Sequence, residues 1–167
     1  MFFLLLSLVA IQRLAELRIA ASNVAYLKAR GAVEYGAGHY PFMVALHAFW
    51  LLSIYLEWWS GGSEVSSQVA WGGALLVVVG QALRWWTIRT LGRRWTTRVL
   101  VLPGEPLVEG GPFRYIRHPN YLGVSLEMFG LPLAGGCWRS ALLFGGLNLV
   151  LLKFRLKVEE EALYGNR

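Results

Sequence analysis

The sequence predicts an all-α integral membrane protein with about five transmembrane helices. Of its 167 residues, 56% are hydrophobic and only 16% are charged, whereas a soluble domain averages about 45–50% and about 25%. The apolar residues come in long runs, and each transmembrane helix needs about 20 of them. Five such helices leave roughly 67 residues outside the bilayer. Because that is too few for a separate soluble domain, we expect residues 1–167 to form one membrane-embedded domain.

Five apolar segments give this helix count. The first has no basic residue before its apolar run, so we interpret it as a retained helix and not as a cleaved signal peptide. The fourth is short and contains several glycines and Pro132, so we expect a kinked or split helix there. The segments are residues 1–19, 41–59, 69–88, 121–136 and 139–156.

The basic residues predict the orientation. With five spans, all of the 16 Lys and Arg residues except Arg139 fall on one side of the membrane. The positive-inside rule assigns that side to the cytoplasm. The N-terminus is therefore predicted outside, with the C-terminus and the long loop between the third and fourth spans in the cytoplasm. Four or six spans would break this agreement.

Charge and cysteine content exclude two classes of function. The formal charge is +6, but the arginines flank membrane spans and no nucleic-acid recognition module is present, so a nucleic-acid partner is not expected. The single cysteine, Cys137, allows no intramolecular disulfide, and the sequence has no Cys/His cluster with metal-ligand spacing. We therefore expect no metal site.

Polar residues concentrate near the end of the long loop. Pro119 suits the first turn of a helix, which places Arg117 and His118 at the N-terminus of the fourth span. Unpaired backbone N–H groups and the positive end of the helix dipole favour an anion there. Taken singly, Arg117 could reach the lipid headgroups, and Tyr115 and Tyr121 could be interfacial aromatics. Taken together at one helix entry, these residues predict a ligand site.

A second polar cluster lies near the C-terminus. Arg155 and Glu159, and likewise Lys157 and Glu161, have the spacing of salt bridges along a solvated helix end. The three adjacent carboxylates, Glu159 to Glu161, cannot all form salt bridges, however. Glu159 or Glu160 could instead face inward and accept two hydrogen bonds from a ribose diol, because an ionised carboxylate only accepts.

One ionisable residue lies inside the fourth apolar segment. Glu127 follows Asn120 by seven positions, which places both residues on a similar helix face. An ionisable residue within an apolar span is usually functional or paired. Glu127 is therefore a candidate site residue.

The motif at the start of the fourth span resembles a known family. It is similar to the isoprenylcysteine carboxyl methyltransferases and the related phospholipid methyltransferases, and the resemblance covers roughly residues 91–163. Residues 30–40 also look like bacterial members, some of which methylate alkylpyrones and alkylresorcinols. The residues that carry the resemblance are Arg117-His118-Pro119-Asn120-Tyr121-Leu122-Gly123, Arg155 and the pair Glu159-Glu160.

The resemblance implies a helical membrane enzyme that uses S-adenosylmethionine. It implies that residues 91–163 bind the cofactor on the cytoplasmic side of the membrane. It also implies a lipophilic substrate that enters from the bilayer, which in bacteria is the inner membrane. Arg155 is implied to orient the substrate or the methionine carboxylate of the cofactor. The implied cofactor-binding residues are Tyr115, Arg117, His118, Pro119, Tyr121, Gly123, Glu159 and Glu160.

The sequence leaves the methyl acceptor open. A prenylcysteine carboxylate or an acidic pyrone enol is already anionic and needs no base. A phenol, with a pKa of about 10, would use a general base such as Glu127 or His118. We expect an oxygen acceptor, with a phospholipid amine as the alternative. A small membrane transporter in which Glu127 couples protons is the alternative of another class, but it leaves the motif unexplained.

Overall fold

The computed structural model describes residues 2–62 and 64–164. Met1 of the first predicted span and Arg167, one of the basic residues assigned to the cytoplasm, lie outside the described residues. The all-α prediction is confirmed, and each of the five predicted segments contributes one long helix. The helices are α1 (Phe2–Ala29), α2 (Tyr40–Trp59), α3 (Ser67–Leu91), α4 (Pro119–Ala134) and α5 (Trp138–Tyr164).

Two stretches of the described residues are long and apolar enough to cross a membrane, namely Ala37–Trp59 and Ser67–Arg94. Helices α1 and α5 contain charged residues along their length, and α4 has only 16 residues. Large apolar side chains nevertheless face outward on several helices, as a lipid-facing surface requires; examples are Phe42, Trp71 and Phe154. The five-span count and the orientation stay predictions.

Helices α3 and α4 cross at two glycine pairs. A Cβ atom added to Gly73 would lie 2.7 Å from the carbonyl oxygen of Gly130, and the reverse substitution meets the same distance. At the second pair, the corresponding distances between Gly80 and Gly123 are 2.8 and 2.9 Å. Small residues allow helix backbones to approach this closely in membranes. The predicted split of the fourth segment is wrong: residues 119–134 form one continuous helix, because Pro132 lies in its last turn and interrupts no long helical stretch.

Glu57 joins α2 to the start of α5. Its carboxylate accepts hydrogen bonds from the backbone N–H groups of Arg139 and Ser140, at 3.1 and 2.8 Å, and from the Ser140 hydroxyl at 2.7 Å. A carboxylate at a helix N-terminus satisfies donors that have no partner within the helix. Glu57 therefore caps the first turn of α5 from a neighbouring helix.

A short strand pair was not predicted from the sequence. Strand β1 (Val33–Tyr35) pairs antiparallel with β2 (Val99–Val101) of the long loop. Next to it, Glu34 lies 2.6 Å from Lys28 and 2.5 Å from Arg98. The strand pair holds the segment between α1 and α2 against the long loop, so the position of β2 is fixed by contacts outside the loop.

Candidate active site

A cavity of about 210 Å³ lies between the ends of α3, α4 and α5 and the long loop that contains β2. One part of its wall is apolar and is formed mainly by the loop and the last turns of α3 and α5, including Leu91, Val99, Leu107, Phe113 and Leu163. Another part is polar and comes from the start of α4 and the end of α5, and the segment between α3 and α4 adds Arg94, Arg98 and Glu105. The polar residues from the two helices and from the residues just before α4 are Arg117, His118, Asn120, Tyr121, Arg155 and Glu159.

Four side chains of the polar wall form a connected chain. His118 directly precedes Pro119, the first residue of α4. Its imidazole contacts two glutamates of α5. Its Nδ1 lies 3.6 Å from Glu159 and its Nε2 lies 3.4 Å from Glu160. The Tyr121 hydroxyl donates to Glu159 and accepts from Arg155 Nε at 2.8 Å. The anion that we expected beside His118 is thus supplied by the protein itself.

The His118–Glu159 contact shifts the pKa of both partners. The hydrogen bond to Glu159 raises the pKa of His118 above its usual value, and this effect outweighs the opposing effect of burial. Burial alone would raise the pKa of Glu159, but the hydrogen bonds from His118 and Tyr121 hold it below its usual value. The pair is therefore stabilised as imidazolium and carboxylate.

Arg155 is a buried cation without a carboxylate partner. Its side chain donates to the Tyr121 hydroxyl, to the carbonyl oxygen of Thr97 at 2.6 Å and to the sulfur of Met43 at 2.9 Å. The residue is only 4% exposed. Within residues 2–62 and 64–164, no carboxylate lies within ion-pair distance of its guanidinium. A buried charge is normally paired, so this position is electrostatically suited to an anion.

Some predicted site residues lie outside the cavity wall. Tyr115 is 78% exposed, with its ring 6.4 Å from that of Trp86. Glu160 contacts His118 from a position that is nearly half exposed. Gly123 packs against α3, where a Cβ atom would lie 2.5 Å from the side chain of Arg84. Pro119 and the largely exposed Arg117 do line the cavity.

Glu127 belongs to a separate ion network inside the bundle. Its carboxylate contacts Arg13 of α1 and lies 3.1 Å from Arg84 of α3. Arg84 also contacts Glu16 of α1, which lies 3.2 Å from Arg13. Two arginines and two glutamates thus compensate each other and join α1, α3 and α4. Glu127 does not line the cavity.

Two further cavity residues were not singled out by the sequence. Trp95, 2% exposed, and Asn120 both line the cavity. The indole Nε1 of Trp95 and the amide Oδ1 of Asn120 are buried and have no hydrogen-bond partner. Asn120 stands inside the motif and could have been chosen for its position, whereas nothing in the sequence distinguishes Trp95.

A helical membrane protein with a polar cavity at the ends of its helices is the class that this fold and site define. Residues 73–165 match the model of the isoprenylcysteine carboxyl methyltransferase family. The chain belongs to this family. Membership supports a membrane methyltransferase and agrees with the resemblance found in the sequence.

Relatives extend the similarity over nearly the whole chain. The chain is 37% identical to the uncharacterized protein YpbQ of Bacillus subtilis over 98% of its own length and 96% of the relative's. It is 28% identical to an uncharacterized protein of Haemophilus influenzae over 90% and 88% of the two lengths. No solved structure gives a significant match.

Proposed function

We propose that this protein is an S-adenosylmethionine-dependent methyltransferase that methylates an oxygen atom of a lipophilic acceptor. The observation that carries the proposal is Arg155, a buried guanidinium without a carboxylate partner at the edge of a partly apolar cavity. Family membership supports the reaction class. We further propose that the cavity lies on the cytoplasmic side of the bacterial inner membrane and that the acceptor enters from the bilayer.

The residues of the cavity fit S-adenosylmethionine by their chemistry. Glu159 is an ionised acceptor suited to the ribose hydroxyls, and Arg117 at the start of α4 is suited to the methionine carboxylate. The unpartnered atoms of Trp95 and Asn120 indicate a polar ligand in the same cavity. When bound, S-adenosylmethionine supplies a methyl group activated by the sulfonium.

The charge of Arg155 favours an anionic acceptor oxygen. A guanidinium in a buried site stabilises a carboxylate, an enolate or a phenolate, and it disfavours an amine that gains positive charge on methylation. An acceptor held as its anion needs no general base. A prenylcysteine carboxylate and the acidic enol of an alkylpyrone satisfy this condition, whereas the phenol of an alkylresorcinol must first lose its proton, and a phospholipid amine does not satisfy it.

The remaining residues hold other side chains or α4 in position. Tyr121 and His118 orient Glu159 and Arg155, and Glu160 holds His118 from the outer side. Pro119 and Gly123 fix the start of α4 against α3, and Tyr115 lies beside this entry. Glu127 positions the same helix through its arginine partners. Catalysis then comes mainly from alignment of the acceptor and exclusion of water.

Calorimetry with S-adenosylhomocysteine tests the cofactor site in detergent-purified protein. We expect the wild type to bind and Glu159→Gln and His118→Ala to bind at least about tenfold more weakly. Glu161→Gln is the matched control, because its side chain is 67% exposed and lies only two positions from Glu159. No binding by the wild type, or equal binding by all variants, would contradict the proposal.

Transfer of a radiolabelled methyl group to lipid extracts tests the acceptor. We expect label in acidic or hydroxylated lipids that carry a long hydrocarbon chain. Arg155→Met should abolish this transfer while S-adenosylhomocysteine binding remains. Label confined to phosphatidylethanolamine-type amines would refute an oxygen acceptor, and loss of cofactor binding in Arg155→Met would reassign Arg155 to the methionine carboxylate.

A further inference from the structure

The cavity contains one unpartnered donor and one unpartnered acceptor. Trp95 Nε1 can only donate a hydrogen bond and Asn120 Oδ1 can only accept one. Both atoms are buried without a hydrogen-bond partner, and both residues line the same cavity. Buried polar groups without partners are rare in proteins. A ligand that supplies one acceptor and one donor would satisfy both atoms at once.

Both residues are held by the backbone around them. The backbone N–H of Trp95 donates to the carbonyl of Gly92 at 3.1 Å, and its carbonyl accepts from Asn23 of α1 at 2.8 Å. Asn120 lies in the first turn of α4, directly after Pro119. The backbones that carry the two polar groups are therefore fixed in two different parts of the fold, the segment after α3 and the first turn of α4.

The polarity of these two atoms discriminates among ligand groups. A carboxylate would be repelled by the acceptor Oδ1 of Asn120, and an ammonium group would be repelled by the N–H of Trp95. A diol has a better partner in the ionised Glu159. A neutral amidine edge, in which an amino group stands beside a ring nitrogen, supplies the required donor and acceptor together.

We propose that Trp95 and Asn120 bind the amidine edge of the cofactor's adenine ring and make the site specific for a 6-aminopurine. The inference rests on the proposed function and adds to it the two residues that recognise the base. The adenine amino group donates to Asn120 Oδ1, and a ring nitrogen accepts from Trp95 Nε1. Apolar cavity residues such as Leu91 and Phe113 cover the faces of the ring.

Calorimetry with two ligands tests this inference directly. S-adenosylhomocysteine carries the amino group, and S-inosylhomocysteine carries a carbonyl oxygen and a ring N–H in its place. The exchange reverses donor and acceptor along the edge while shape changes little. We expect the wild type to prefer S-adenosylhomocysteine by about tenfold or more.

Two variants test whether Trp95 and Asn120 cause the preference for S-adenosylhomocysteine. Trp95→Phe keeps an aromatic ring and removes the donor, and Asn120→Ala removes the acceptor. Each should weaken S-adenosylhomocysteine by about tenfold and reduce the preference over S-inosylhomocysteine. Trp86→Phe is the matched control, because Trp86 is 47% exposed and does not line the cavity.

Each outcome decides a different point. A wild type that binds both ligands equally, or variants that bind S-adenosylhomocysteine and keep the full preference, would overturn the assignment of Trp95 and Asn120 and leave the methyltransferase proposal standing. A wild type that binds neither ligand would overturn the proposed function and this inference with it. If Asn120→Ala loses its folded state, Asn120→Leu replaces it, because leucine fills the position and removes the acceptor, and the same loss of preference is expected.

Discussion

Replacing Glu127 by glutamine removes the negative charge that two guanidinium groups share inside the bundle. Arg84 donates to both carboxylate oxygens, at 3.3 and 3.1 Å, and Arg13 donates to one of them. Glutamine keeps the size of the side chain and one acceptor oxygen. The substitution therefore tests the charge, because it leaves the two arginines with Glu16 as their single counter-ion.

The expected loss of stability follows from burial. The side chains of Arg84 and Glu127 are 3% and 2% exposed, so water screens this pair little. Breaking a buried ion pair from one side costs about 3–5 kcal/mol. For a chain of this length, 1 kcal/mol corresponds to about 2–4 °C in unfolding temperature. We therefore expect Glu127→Gln to unfold roughly 6–20 °C below the wild type.

The protein contains a reporter for this measurement. Cys137 is the single cysteine of the sequence and is 0% exposed in the fold. A thiol-reactive fluorophore should therefore react when the bundle unfolds and not before. The midpoint of the fluorescence increase on heating gives the unfolding temperature in detergent without substituted residues.

A paired substitution distinguishes charge balance from loss of packing. Arg13→Met combined with Glu127→Gln removes one charge of each sign and leaves Arg84 paired with Glu16. We expect the double variant to lose less stability than the sum of the two single variants. Glu161→Gln, on the exposed end of α5, should change stability by less than about 0.5 kcal/mol. Strict additivity, or an unfolding temperature of Glu127→Gln equal to that of this control, would refute the reasoning.

Three other predictions follow from contacts elsewhere in the bundle. Gly130→Ala should destabilise by about 1–3 kcal/mol, measured by the same thiol assay, because the added Cβ meets a backbone carbonyl of α3 at 2.7 Å; Gly146→Ala has open space at its Cβ and is the control. The His118–Glu159 pair should stabilise fully below the imidazole's unfolded pKa of about 6.5 and above the carboxyl's unfolded pKa of about 4.3. This contribution is lost as the pH rises through the raised pKa of His118 or falls through the lowered pKa of Glu159, so the unfolding temperatures of wild type and His118→Asn should converge once the pH has risen above the raised pKa of His118. Glu34→Gln should change global stability by less than about 1 kcal/mol, because its ion pairs are partly exposed. It should nevertheless accelerate hydrogen exchange in β2, because the pair with Arg98 joins β1 to the start of β2.

The helices were predictable from the sequence because their signal is local. Apolar runs of about 20 residues and Pro119 as a helix start are read directly from consecutive positions. The β1–β2 pair was not predictable in this way, because three-residue strands far apart in sequence carry little periodicity. Its pairing depends on the tertiary fold, which brings the segment between α1 and α2 next to the loop between α3 and α4.

The candidate site was predicted in its composition more than in its geometry. The motif identified His118, Tyr121 and Glu159, which the structure brings into direct contact. A glycine such as Gly123 allows close approach to its backbone by either a ligand or a neighbouring helix, and the sequence does not distinguish the two. In the structure, α3 with its Arg84 side chain packs against Gly123. Unpartnered atoms such as Trp95 Nε1 exist only in three dimensions, so a residue-by-residue interpretation cannot find them.

The two most buried arginines of the bundle differ in how their charge is compensated. Arg84, 2% exposed, contacts two carboxylates of the protein, so its desolvation is offset within the fold. Arg155, 4% exposed, donates to a hydroxyl, a carbonyl and a thioether, and within the described residues its nearest counter-ion, Glu159, is separated from it by the Tyr121 hydroxyl. A cation of the first kind stabilises the helix arrangement, because its partners come from α1 and α4. A cation of the second kind has no direct carboxylate contact within the described residues, and a bound anionic acceptor should therefore raise the unfolding temperature of the wild type more than that of Arg155→Met.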